Sequence, residues 1–387
     1  MLRGRATILV FVLLLVLAGA GTATDRQPQK EIDAVFAAVT QKDAPGLAVL
    51  VRQNGRTVFE QGYGVRDLRM MAKIDARTNF RLASFTKQFT AMAAMLLVHD
   101  GKLRYDDKLT QIFPELPAYG KDITIRNLLN HTSGLPDYED LMDAEEKAKG
   151  PVWTPEHQIQ DQEVLQLLEK APKGFFAPGT SWAYSNSGYV VLGLVVAKIS
   201  GKPFGDFLAE RIFVPLHMDH TLMYAKGKNE VTNRAYGHTK EKETGAFKET
   251  DQSPTSATQG DGGIYTNLED LAKWDDALRN HTLLSAEEMT PALTAAKLAD
   301  GSPTRTPDPP HGDNGTPGKS VSYGFGWFVD PYEGHARMWH TGSTMGFGTV
   351  IERFTADNLT IIILCNRTDL DPAKLALRVT DLYLHTR

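Results

Sequence analysis

The sequence predicts a mixed α/β (α+β) fold: one antiparallel sheet built from both ends of the chain and flanked by helices, beside a mostly helical lobe. Three observations carry this. Leu47 to Val51 and Thr57 to Tyr63 read as strands joined across Asn54-Gly55, a dipeptide suited to the positive φ angles of a two-residue hairpin turn. Strand-like runs then return only near the other end, at Tyr323 to Val329, Ala336 to His340, Thr349 to Phe354 and Leu359 to Leu364. Between the two sets the apolar residues fall mostly at helical spacing.

Taken in order, Ile32, Val35, Phe36 and Val39 mark an amphipathic helix ahead of the first hairpin. A long apolar helix follows Ser84 through Met95, Leu96 and Val98 and stops at Gly101. Further helices are predicted at Ile125 to Leu129, Val164 to Leu168, Tyr189 to Ile199 and Leu268 to Leu278. The polar stretch from His238 to Gln259 is an excursion from this lobe, and Gly301 to Ser320, crowded with Pro, Gly and Asp, is a long surface loop. Asp371 as N-cap and Pro372 at the first helical position open a final helix. No repeat or composition break divides the chain. It is therefore read as one domain over 24–387, with a sheet lobe at about 24–83 and 321–387 and a helical lobe at about 84–320.

Residues 1–23 read separately. Arg3 and Arg5 precede an apolar run from Ile8 to Leu17 and then small residues up to Ala23, the layout of a cleaved secretory signal. The run is shorter than the ~20 residues a membrane span needs. An exported, periplasmic protein with no stable membrane anchor after cleavage at Ala20 or Ala23 is expected, with a secreted form or an uncleaved anchor as alternatives. The net charge of −5 gives no basic face for nucleic acid. The single cysteine, Cys365, can form no internal disulfide and sits in a strand-like apolar run, where it packs as a small hydrophobe.

The chemistry is concentrated in three short motifs. Ser84-Phe85-Thr86-Lys87 places a lysine three positions after a serine, one turn on and on the same face. A serine hydroxyl is a poor nucleophile until a neighbouring base takes its proton, and Lys87 is placed to do so. Tyr184-Ser185-Asn186 and His340-Thr341-Gly342 complete the set. No G-x-S-x-G elbow, H-E-x-x-H pair or phosphate-cradling glycine motif is present. His217 and His220 lack a third ligand nearby, so neither a cofactor nor a metal is expected.

In order and type these motifs resemble those of the serine β-lactamase and penicillin-binding-protein superfamily, most closely its class C β-lactamase, DD-peptidase and esterase branch. The resemblance spans nearly all of the chain after the leader. It implies a β-lactamase/transpeptidase-like fold whose cleft collects Ser84, Tyr184 and His340. It also implies Ser84 as nucleophile, Lys87 and Tyr184 as proton carriers, and Asn186, His340, Thr341, Gly342 and Ser343 as substrate-binding residues. The Ser84 and Ser343 amides would form the oxyanion hole, and Gly342 would let substrate approach the strand backbone closely. The substrate would be a small-molecule ester, a peptide or a β-lactam.

Two departures from the family pattern bear on substrate. His340 stands where most true β-lactamases carry lysine; with an ordinary pKa near 6.5 it would be charged about a quarter of the time at pH 7. Asp261, in Gly260-Asp261-Gly262-Gly263, stands where Ser or Ala is commoner, and if it faced the cleft it would disfavour anionic substrates. Leu128 to Pro136 also fits the family pattern, with His131 read as structural. The expectation is an exported serine hydrolase, an esterase or D-amino-acid peptidase with weak or no β-lactamase activity. A genuine class C-type β-lactamase and a non-catalytic peptidoglycan-binding or scaffold relative are the alternatives.

Overall fold

The two ends of the chain meet in one sheet because their strands are short, apolar and complementary in register. The computed structural model describes residues 27–306 and 318–384; the leader read at 1–23 and part of the 301–320 loop lie outside the described residues. Strands β1 (Leu47–Gln53) and β2 (Arg56–Tyr63) form the N-terminal hairpin. Strands β3 (Phe328–Tyr332), β4 (His335–Thr344), β5 (Phe347–Phe354) and β6 (Leu359–Cys365) form the C-terminal meander. The six-stranded order is β3-β4-β5-β6-β1-β2, antiparallel throughout, with Leu47 opposite Cys365 at the join. Asn54 and Gly55 both have positive φ, as the predicted two-residue turn requires.

The two-residue period of a strand gives the sheet two cores. Leu47, Val49 and Val51 of β1, with Ile361, Ile363 and Cys365 of β6, pack outward against helix α1 (Gln27–Ala37) and the C-terminal helix Pro372–Leu384. Ala48, Leu50, Ile362 and Leu364 point the other way, into the larger core shared with the helices. Asp371 caps the last helix as predicted, accepting the Lys374 amide at 3.1 Å.

Helix α2 (Lys87–His99) runs through the middle of that larger core. Every residue from Lys87 to Leu97 is buried, as expected of a helix apolar all round. It packs on α3 (Asn186–Ser200), whose N-terminus is capped by the Ser185 side chain at the Gly188 amide. Helix α4 (Leu268–Asn280) is tied to the sheet through buried Asp275, which accepts from Arg353 Nε and Thr360 Oγ1, both at 2.8 Å.

One local expectation needs correction. Tyr323 to Val329 is not a continuous strand: β3 begins at Phe328, and Tyr323 meets it only through an isolated bridge. Gly324 and Gly326 explain this, since a Cβ on either would lie 2.0 Å from the Ala292 carbonyl or 2.9 Å from the Lys87 carbonyl. The glycines press this segment against its neighbours instead of into the ladder. A small three-stranded sheet (Phe80–Arg81, Ile264–Thr266, Leu222–Met223) also forms, from strands too short to show alternation.

Candidate active site

Ser84 lies in a 3₁₀ turn, Ala83–Thr86, one step ahead of α2, rather than at the start of the α-helix itself. That geometry brings residues three apart into eclipse. Lys87 Nζ accordingly sits 3.0 Å from Ser84 Oγ. The turn is entered through Ala83 at φ +50°, a left-handed conformation that a non-glycine residue holds only when its surroundings enforce it.

Those surroundings are strands β4 and β5. Thr349 Oγ1 of β5 donates to the Leu82 carbonyl at 2.8 Å. On β4, Gly342 lies so close to the turn that a Cβ there would be 2.1 Å from the Leu82 carbonyl and 2.4 Å from Thr349 Oγ1. Glycine is therefore needed at 342 for the turn to seat on the sheet, a different reason from the substrate approach expected from sequence. Thr349 is a functional residue the motifs did not mark. Its only signal is a polar residue within Phe347–Phe354, a strand buried at every position.

Lys87 is fully buried and held from three sides. Besides Ser84 Oγ, its Nζ donates to Asn186 Oδ1 at 2.9 Å and to the Asp261 carbonyl at 3.1 Å. Asn186 is the first residue of α3. The Asp261 carbonyl is fixed by the 260–263 turn, because Thr90 Oγ1 donates to the Gly260 carbonyl at 2.6 Å and a Cβ on Gly260 would lie 2.1 Å from the Tyr189 carbonyl.

Tyr184 joins this group, its ring centroid 4.8 Å from Lys87 Nζ. Behind it lies His131, fully buried, with ring centroids 4.4 Å apart. His131 Nδ1 accepts the Ser185 amide at 3.0 Å, and the Ala183 amide donates to its carbonyl at 3.0 Å. Both ties hold the Tyr184 segment in place. Burial, with Lys87 and His340 nearby, drives the His131 ring well below its ordinary pKa, so it is a neutral support.

His340 differs from the sequence expectation. It is 1% exposed; Nδ1 lies 2.6 Å from the Thr341 carbonyl, and Nε2 lies 3.0 Å from the hydroxyl of buried Tyr323. A carbonyl can only accept, so Nδ1 carries the proton and Nε2 takes the Tyr323 hydrogen. Burial foremost, then the Lys87 charge, pushes His340 down to about 3. The imidazole is neutral at pH 7, not a quarter charged. Tyr323 is a second residue that sequence reasoning missed as part of the site.

Thr341 and Ser343 follow on β4, Thr341 half-buried and Ser343 exposed. Strand β3 covers β4 only as far as Trp339, opposite Phe328, so the ladder on that side stops just before His340–Thr344. Ser84, Lys87, Tyr184, Asn186, His340 and Gly342 thus surround one locus. No group of three metal-ligating side chains occurs among the described residues.

Comparison with known proteins agrees with this fold. The family model described as Beta-lactamase matches residues 32–384. Penicillin-binding protein 4* of Bacillus subtilis is 29% identical over 353 residues, covering 88% of this chain and 72% of its own length. The D-amino acid amidase of Ochrobactrum anthropi SV3, solved with L-phenylalanine amide, superposes with a TM-score of 0.73 at 23% identity over 93% of this chain and 98% of that one. EstCE1, a hydrolase with promiscuous acyltransferase activity, gives 0.74 at 21% identity over 94% and 100%.

Proposed function

Since the chain belongs to the beta-lactamase family, we infer that it is an acyl hydrolase of esters or amides that works through a Ser84 acyl-enzyme and has little activity on β-lactams. One observation carries the reading: the arrangement around Lys87 Nζ. Two of its three contacts, Asn186 Oδ1 and the Asp261 carbonyl, can only accept hydrogen bonds. When Lys87 is neutral, both N–H groups are taken by these acceptors and the lone pair is left facing Ser84 Oγ at 3.0 Å. The amine is pre-aimed as a base.

The steps follow. Ser84 Oγ attacks the substrate carbonyl carbon as its proton moves to Lys87, and the carbonyl oxygen becomes an oxyanion held by the Ser84 and Ser343 amides. The tetrahedral intermediate collapses, the bond to the leaving group breaks, and Tyr184, beside Lys87, returns the proton to that group. Water then attacks the acyl-enzyme by the reverse proton path, releasing the acid and restoring the Ser84 hydroxyl. Thr341 and the free edge of β4 receive the acyl chain, Asn186 positions it, and His340 holds that strand through Tyr323.

The neutral, enclosed His340 favours esterase or amidase activity over a genuine class C-type β-lactamase. A β-lactam presents a carboxylate, and the position that would answer it with a standing cation is uncharged here. Cephalosporin turnover is expected to be absent or slow; kcat/KM near the diffusional ceiling of about 10⁸ M⁻¹s⁻¹ would overturn this.

The first test is intact-protein mass after exposure to a fluorophosphonate. One adduct on the wild type and none on Ser84→Ala supports the activated nucleophile; no adduct on either shifts weight to a binding or scaffold role. The leader-like residues 1–23 support export, and N-terminal sequencing of periplasmic protein from a Gram-negative host beginning near Ala20 or Ala23 would establish cleavage.

A further inference from the structure

The geometry points to Asp261 as a residue that selects substrates bearing a cationic group near the scissile carbonyl, its carboxylate receiving a substrate ammonium. This rests on the acyl-hydrolase reading and extends it to a substrate class.

Asp261 is 7% exposed. Its backbone carbonyl is engaged by Lys87, but its carboxylate is hardly engaged at all. Oδ2 has one long contact, the Tyr138 hydroxyl at 3.4 Å, and Oδ1 is buried with no hydrogen-bond partner. No Lys, Arg or His among the described residues forms an ion pair with it. A carboxylate removed from water and left half-unmatched is costly to maintain. A ligand group that donates hydrogen bonds and carries positive charge would satisfy it.

Its position is right for substrate. The two Lys87 bonds and the reach of an aspartate side chain put the carboxylate no more than about 11 Å from Ser84 Oγ, the span of about three extended residues. Three more carboxyl groups, Asp137, Glu139 and Asp161, lie around it, and each is raised by loss of water contact first and by the Asp261 charge besides, Glu139 to about 7 and Asp161 to about 8. At pH 7 Asp161 is therefore mostly neutral and Glu139 about half so, and none of the three offers a cation that would pair with Asp261. Neutral His340 supplies no cation either. An anionic substrate would meet repulsion on one side and no compensating charge on the other, whereas an ammonium would be drawn in.

Asp261 could instead serve only as a counter-charge for Lys87, and the experiment separates the two roles. Ser84 labelling rates are measured by intact-protein mass with three matched fluorophosphonates whose chains end in a primary ammonium, its methyl isostere or a carboxylate. The wild type should react at least tenfold faster with the cationic probe than with the neutral one, and slowest with the anionic one. Asp261→Asn should bring the cationic and neutral rates within threefold of each other, the ratio being the readout because the Asp261 backbone also holds Lys87; Asp261→Ser serves the same purpose if the amide variant does not fold. Equal cationic and neutral rates in the wild type overturn the proposal, as does an unchanged preference in a folded variant. A uniform loss across all three probes assigns Asp261 to Lys87 support and also overturns it. No labelling of wild type by any probe overturns the underlying reading of Ser84 instead.

Discussion

Thr349 and Leu82 lie 267 positions apart in sequence, yet the Thr349 hydroxyl donates to the Leu82 carbonyl at 2.8 Å, two residues before the nucleophile. The left-handed Ala83 follows that carbonyl directly, and Gly342 leaves room for both. The shape of the nucleophile turn is therefore imposed by the C-terminal meander, not by the local preference of the 82–87 segment.

Two substitutions grade this dependence. Thr349→Val keeps the shape but leaves the buried Leu82 carbonyl only its longer bond, from the Phe85 amide at 3.3 Å, at a cost of about 1 kcal/mol, and should lower kcat severalfold. Gly342→Ala puts a methyl group where two atoms already stand and should lower kcat at least a hundredfold, on the order of 3 kcal/mol or more of transition-state stabilisation. Steady-state kinetics on a chromogenic ester, with circular dichroism to check folding, decide both. Equal activity of wild type and Gly342→Ala would remove the turn from the mechanism.

Asn186→Asp replaces an amide oxygen by a charged one 2.9 Å from Lys87 Nζ. The added negative charge holds a proton on Lys87 and opposes its service as a base toward Ser84. At pH 7, kcat/KM for a chromogenic ester should fall at least tenfold, and an unchanged value would separate the Asn186 contact from the base.

His340 gives a stability signature of defined sign. Its folded-state pKa of about 3 lies below the ordinary 6.5, so its contribution is complete above pH 6.5 and falls as the pH drops toward 3. The advantage of wild type over His340→Gln should shrink by about 2 kcal/mol by pH 5. Denaturant titrations at pH 5 and 8 read this difference; a gap that widens on acidification would contradict the buried neutral ring.

Glu352 titrates in the opposite sense. On β5, 1% exposed, it is raised by burial to about 7, with Arg337 offsetting only part of the effect. Its carboxyl is tolerated when protonated, and stability is lost as the pH rises through 7. Glu352→Gln should therefore gain in Tm relative to wild type between pH 5 and pH 9, and no pH dependence of that gain would refute the assignment.

The strands and long helices were legible because their signals are periodic. β1 alternates between two cores, β2 follows a turn dipeptide, and α2 is apolar on every face. The three motifs were legible because the chemistry fixes residue type at Ser84, Lys87, Tyr184 and Asn186. What could not be read was whatever depends on a neighbour distant in sequence. His340 looks like a histidine charged a quarter of the time until burial and the Tyr323 hydroxyl are known. Gly342 looks like room for a ligand until the Leu82 carbonyl is seen to fill it. Thr349 looks like any threonine in a strand.

The pairing of β1 with β6, Leu47 opposite Cys365, also has a meaning in time. A ribosome delivers residue 47 long before residue 365, so the first hairpin emerges with the edge of β1 that β6 will cover still bare. Contacts this far apart close slowly, because loop entropy is spent before any pairing repays it. Until they close, no wall stands behind the serine. A partly synthesised chain has a nucleophile in its sequence but none in its chemistry, which delays reactivity until the fold is complete.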